Sequence, residues 1–214
     1  MTVLDDNLWF PPPSSAMEDG LIAIGGEITP QRLLLAYSKG IFPWYNDDLP
    51  LWWHPNPRFI LLPQELKISK SMRQVLLKNT FEFKINTAFK KVITHCKNIN
   101  RKNQDGTWIN NKIIETYTQL HLLGVAHCAE TWQNGVLVGG LYGIKMGNIF
   151  FGESMFSHQS NASKYAFIKM VELLKNEGIK LIDCQIYTEH LESLGAKMIC
   201  RDDFMDILKK NIVV

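Results

Sequence analysis

A regular amphipathic rhythm runs from Ile109 to Leu123. Ile113, Ile114, Tyr117, Leu120 and Leu123 recur at helical spacing, and Gly124 follows. The pattern predicts a helix of about four turns. Further helical periods cover Ser69 to Asn79, Thr87 to Cys96, and a segment from Asn161 or Ser163 to Asn176. A further helix opens at Thr29-Pro30, a cap residue followed by proline at the first helical position, and closes at Gly40. Phe81 to Ile85 alternates and predicts a strand. Val125 to Trp132 and Val136 to Lys145 predict two strands joined by Asn134-Gly135, a strong hairpin signal. A third strand is expected from Ile149 to Met155. Lys180 to Gln185 is short and apolar, as a buried strand would be. A short helix over Glu189 to Leu194, a strand over Lys197 to Cys200 and a helix over Asp202 to Lys210 complete the chain.

From residue 85 onward the order is helix, helix, three antiparallel strands, helix, strand, helix, strand. That is the layout of an acetyltransferase-like (GNAT-type) domain. The expected fold is α+β, with a mixed, mainly antiparallel sheet over residues 66–214 and an N-terminal Trp/Pro-rich lobe over residues 1–65 packed on it. Within the lobe, Gly40 to Arg58 holds three tryptophans and four prolines. Proline removes backbone donors and fixes φ, so this stretch is expected to be irregular. Dense aromatics on irregular backbone line a pocket for a flat or apolar ligand, or pack a domain junction; the stretch alone does not separate the two.

Composition narrows the class. The chain has 214 residues, 46% hydrophobic and 21% charged, with a formal charge of +2. That is globular rather than disordered, and too weakly basic to announce nucleic acid by itself. No apolar run reaches the length of a membrane span, and the N-terminus lacks the basic and apolar regions of a signal peptide. The four cysteines show no C-x-x-C pair, which argues against a zinc site or disulfide framework and for free thiols in the cytoplasm. The six histidines lack metal-ligand spacing, and no G-x-S-x-G is present.

Two acidic residues interrupt apolar strands. Glu153 stands among Phe150, Phe151, Met155 and Phe156, so its carboxylate faces a polar cavity, a partner or the solvent at a sheet edge. Asp183 lies in Leu181 to Ile186, and in a regular strand it points the same way as Gln185 while Cys184 points opposite. An acceptor beside an amide suits holding an amine or polarising a carbonyl, and equally suits a structural hydrogen-bond network. Cys184 reads as a small hydrophobe. Lys70, Arg73 and Lys78, with Arg32, Lys39 and Arg58, form either a phosphate-binding face or ordinary solvated surface.

Together these pieces resemble the leucyl/phenylalanyl-tRNA–protein transferase family from about Phe10 to Leu208. The matching motifs are Gly20 to Gly26, Arg32 to Tyr37, Gly40 to Trp44, Trp52 to Arg58, Thr107 to Ile109, Gly139 to Gly143, Gly152 to Ser157, Ala162 to Lys164, Asp183 to Gln185 and Ser193 to Ala196. The resemblance implies transfer of Leu or Phe, with Met as a further candidate, from aminoacyl-tRNA to the N-terminal amine of proteins beginning with Arg or Lys. The product enters N-degron-dependent degradation. It implies a cytoplasmic monomer that needs neither metal nor acetyl-CoA. By position, Trp44 and Trp108 would stack on the 3′-terminal adenosine with Tyr37 nearby. Phe150, Met155 and Ile144 are nominated for the pocket of the transferred side chain. Lys70, Arg73 and Lys78 would bind acceptor-stem phosphates. Asp183, acting with Gln185, would orient the acceptor amine and help remove its proton, and Glu153 would recognise its cationic end. A proton relay through the hydroxyl of the tRNA is the alternative. The chain departs from the family pattern at His54 and Asn56, where Ser and Asp are usual, and in a less basic 69–79 helix.

Two rivals remain at this level. A small-molecule acetyltransferase would cradle pyrophosphate on a glycine-rich turn, but Ser157 to Ser163 contains no glycine. A non-catalytic RNA or peptide binder would have no use for carboxylates in apolar strands.

Overall fold

A computed structural model describes residues 1–45, 49–99 and 107–212. Residues 46–48 of the Trp/Pro-rich stretch lie outside it. Two sheets form. In the first, β1 (Thr2–Leu4), β2 (Leu21–Gly25), β3 (Phe42–Pro43) and β4 (Leu51–Trp53) take the order β1-β2-β4-β3. The stretch expected to be irregular thus contributes β3 and β4. Its prolines are compatible with pairing because Pro43 sits on the edge strand and Pro50 precedes β4.

The second sheet has seven strands: β5 (Arg58–Leu61), β6 (Glu82–Ile85), β7 (Ala126–Gln133), β8 (Val136–Met146), β9 (Ile149–Ser157), β10 (Leu181–Gln185) and β11 (Lys197–Ile199). Their order across the sheet is β11-β5-β10-β9-β8-β7-β6. Only β9 and β10 pair in parallel; every other pair is antiparallel, as the α+β reading expects. Strand β5 lies between β10 and β11. Residues 58–61, placed with the N-terminal lobe on composition, therefore join the larger sheet, and the chain crosses between sheets after Trp53.

Helix α1 (Pro30–Ser38) is capped by the Thr29 side chain, and α2 (Lys70–Leu77) by Ser69. Helices α3 (Phe89–Asn98) and α4 (Asn111–Leu122) cover one face of the large sheet, and α5 (Ala162–Asn176) the other. A short α6 (Glu189–Glu192) and a C-terminal α7 (Arg201–Asn211) follow. The core on the α3–α4 side also takes in Leu33 and Trp52 of the small sheet region with Phe204 and Leu208 of α7, so the two lobes share one apolar interior.

Three register shifts interrupt the ladder of the large sheet, one of them between Thr131 and Trp132 of β7 and the other two beside Glu153 and Gln185. Across β8 and β9, Tyr142 opposes Ser154 while Gly143 opposes Gly152, which leaves Glu153 as an extra, bulged residue. A Cβ on Gly143 would collide with the Phe151 carbonyl oxygen and lie 2.6 Å from Phe150 Cζ. In β10 the register with β5 shifts between Asp183 and Gln185, and Gln185 takes φ 65°. Gly143→Ala is expected to lower stability by about 3 kcal/mol or more, because backbone as well as a buried ring must move; urea unfolding of the two proteins checks it.

Candidate active site

The irregularities at Glu153 and Gln185 open onto one cavity of about 550 Å³. Trp44 and Trp108 stand in its wall with Phe42 and Ile99, and Phe150, Met155, Leu141, Phe167, Ile182 and Leu191 supply apolar lining. Glu153, Asp183, Cys184 and Gln185 contribute the strand-borne residues. Trp44 comes from the small sheet's end and Trp108 from the turn before α4, so both lobes build the site. The Trp44 ring leans on Trp53, whose Nε1 donates to the Trp44 carbonyl oxygen at 2.6 Å.

Glu153 projects from the bulge into a set of donors. It accepts from Tyr37 Oη at 2.6 Å, Tyr117 Oη at 3.1 Å and Gln185 Nε2 at 2.9 Å. The two tyrosine hydroxyls also bond to each other. Burial pushes the Glu153 carboxyl up from the ordinary 4.5 to about 8; the three donors pull it back, and the Asp183 charge raises it further. Burial, then the Glu153 charge, holds both tyrosines well above their usual range. They therefore stay protonated, and because each has a single proton, the carboxyl proton of Glu153 fills the third of these contacts when Glu153 is neutral. Since Nε2 of Gln185 is taken by Glu153, its Oε1 is the end left for a donor on a substrate.

Asp183 serves a different partner. Arg58 grips it with both arms, Nε to Oδ1 at 2.8 Å and Nη2 to Oδ2 at 2.6 Å, with both side chains buried. The backbone N–H of Gln185 adds a third bond at 2.9 Å. The expected common direction of Asp183 and Gln185 is thus not observed. The left-handed backbone at Gln185 turns its amide to Glu153, while the Asp183 carboxylate meets Arg58 on β5.

The nominated residues separate accordingly. Phe150 and Met155 line the cavity, but Ile144 does not. It is fully buried, paired to Phe151 and Ala126, in the core beneath α3 and α4. Tyr37 is also fully buried and reaches the site only through Glu153. Trp108 is nearly buried and Trp44 is exposed, the arrangement of a wall and a lip. Lys70, Arg73 and Lys78 are all exposed on or next to α2, and none forms an ion pair with a described residue. Arg32 and Arg58, grouped with them from sequence, are buried and cannot share that face; Arg32 bonds the carbonyl oxygens of Asp5, Asn7 and Glu27. Sequence reasoning misses Tyr117 because it fits the apolar stripe of its helix. The hydroxyl that a buried tyrosine must satisfy is the available signal.

A mixed sheet that opens onto an apolar cavity, with a carboxylate and a carboxamide in its wall, is equipment for acyl transfer. Residues 60–209 match the model of leucyl/phenylalanyl-tRNA protein transferase, and residues 26–56 match the model of its N-terminal domain. The chain is 55% identical to the leucyl/phenylalanyl-tRNA–protein transferase of Flavobacterium johnsoniae over 98% of this chain and 99% of that one. It is 56% identical to that of Christiangramia forsetii over 93% and 95%. Among solved structures it overlaps a GCN5-related N-acetyltransferase-like protein from Streptococcus suis, 12% identical, over 83% of this chain and 68% of that chain, with a TM-score of 0.39. The chain belongs to the leucyl/phenylalanyl-tRNA protein transferase family.

The raised Glu153 value sets a pH dependence. The folded protein binds this proton more tightly than the unfolded chain, so the contribution of Glu153 to stability is full below about pH 4.5 and is lost as pH climbs from there to about 8. Glu153→Gln removes that contribution. The stability of Glu153→Gln relative to the wild type is expected to rise between pH 5 and pH 8, and urea denaturation at the two values measures it.

Proposed function

We propose that this chain is an aminoacyltransferase that moves Leu or Phe from aminoacyl-tRNA to the N-terminal amine of proteins beginning with Arg or Lys. The observation that carries the reading is the continuity of the cavity, from a pair of tryptophans to an apolar recess past Glu153 and Gln185. An unpaired 3′-adenosine can stack on Trp44 and Trp108, at about 1–3 kcal/mol per stacked base. The esterified side chain then enters the recess formed by Phe150, Met155, Leu141, Phe167 and Ile182. Such a recess separates apolar side chains weakly, which fits acceptance of both Leu and Phe, with Met as a further substrate.

The ester carbonyl then lies beside Glu153 and Gln185. The acceptor α-amine must lose a proton to attack, and an α-amine titrates near 7.7–8.0. A carboxyl at about 8 is matched to it, so the ionised fraction of Glu153, which grows as pH approaches 8, takes the amine's proton with little driving force lost and returns it to the departing 3′-oxygen. Gln185 Oε1 accepts an N–H of the incoming amine and aims its lone pair at the carbonyl carbon. The C–N bond forms, the C–O bond to the ribose breaks, and the 3′-oxygen leaves with a proton. Asp183 contributes through Gln185 rather than as the base, since Arg58 occupies both its oxygens. The exposed cations on α2 would steady the acceptor stem, outside the cavity. The family supports a cytoplasmic enzyme that acts as a monomer and feeds N-degron turnover.

Purified protein, labelled Leu-tRNA and an Arg-initiated peptide test the reading beside the same peptide with a blocked amine. Label is expected only in the free-amine peptide; label in neither would overturn the proposal. Replacing Lys70, Arg73 and Lys78 together by Ala is expected to weaken tRNA binding and to lower the slope of log affinity against log salt by about 2–3, near one per lost phosphate contact. Filter binding across a salt series reads both.

A further inference from the structure

The pair between Arg58 and Asp183 is itself clamped. The guanidinium carbon of Arg58 lies 4.8 Å from the ring centre of Phe42 and 4.7 Å from that of Phe204. Phe42 comes from β3 and Phe204 from α7, so three distant segments converge on one cation. Phe204 fits because residue 40 has no side chain: a Cβ on Gly40, where φ is 70°, would lie 2.6 Å from Phe204 Cε1. His54 packs on the same ring at 6.0 Å and bonds the Gly40 carbonyl oxygen through Nδ1. Burial and the neighbouring Arg58 push His54 down to about 3, so it adds no second charge.

On its other side Asp183 accepts the Gln185 backbone N–H, at a residue whose φ of 65° is unusual for a side chain with a Cβ. That conformation is what brings the Gln185 amide within 2.9 Å of Glu153. A contact path thus runs from α7, through Phe204, Arg58 and Asp183, to the wall of the active site.

We propose that Arg58 and Phe204 are positioning residues for aminoacyl transfer. The guanidinium, held between two rings, locks the Asp183 carboxylate, and Asp183 keeps Gln185 in the left-handed conformation that places its amide on Glu153. The proposal rests on the transferase reading. It gives the C-terminal helix a part in the reaction although α7 does not line the cavity. A purely structural pair would instead change stability and leave the turnover of folded protein intact.

Arg58→Lys keeps the charge but loses the two-armed grip. Phe204→Leu keeps the grip and loosens the clamp. Both full-length variants and the wild type are assayed for Leu transfer to an Arg-initiated peptide, with kcat and KM measured for each substrate and thermal melting alongside. For Arg58→Lys, kcat is expected to fall about 100-fold, the cost of a small misplacement of reacting groups. For Phe204→Leu it is expected to fall by roughly fivefold, with KM for Leu-tRNA unchanged in both, the signature of an interaction realised only in the transition state. Folded variants with wild-type kcat overturn the proposal, as does a raised KM with kcat intact. If Arg58→Lys fails to fold, Phe204→Leu decides on the same criterion. A wild type without turnover fails the transferase reading and takes the proposal with it; active wild type beside unaltered variants fails the proposal alone.

Discussion

The ion pair between Arg58 and Asp183 organises the centre of this protein. Two charges taken out of water are costly unless the geometry repays the desolvation, and here two short bonds, a backbone N–H and two aromatic faces surround them. The pair ties β5 to β10 across the large sheet, and the rings bring in the small sheet and the C-terminal helix. Its geometry can be satisfied only when all four segments are docked. The candidate site thereby inherits its alignment from the docking of these four segments, not from any one loop.

Around that fixed pair, Glu153 occupies the opposite electrostatic situation. It has donors but no cation, so its proton is retained to about pH 8. Two carboxylates lining the same cavity therefore differ in kind: Asp183 is a permanently satisfied anchor and Glu153 a group able to exchange a proton near neutrality. The bulge opposite Gly143 makes the difference possible by lifting Glu153 out of the paired ladder.

Much of the fold from residue 69 onward is legible in the sequence because the helices carry one apolar face and the central strands are apolar on both. The period of α4, the Asn134-Gly135 turn with φ of 51° and 75°, and the Thr29 cap are local signals with local outcomes. The strands of the small sheet escape such reading because each spans only two to five residues and depends on partners far along the chain. Glu153 and Gln185 are recognisable as polar residues in apolar strands. Their partners are less so: Arg58 reads as a surface cation because its carboxylate lies 125 residues away in sequence. Ile144 fails as a pocket residue because apolar character does not tell cavity wall from core.

Strand β5 has a consequence for how the molecule is made. It is synthesised early, yet both its neighbours in the sheet, β10 and β11, belong to the last segments of the chain. Until β10 and β11 have been made, β5 has neither of its sheet neighbours and Arg58 lacks its carboxylate. Closure is then a late, long-range event, slow by the measure of loop entropy and exposed to wrong pairing while it waits. A chain that stops short of β10 lacks a wall of the cavity as well as a neighbour for β5, because the strand that carries Asp183 and Gln185 joins β5 to β9.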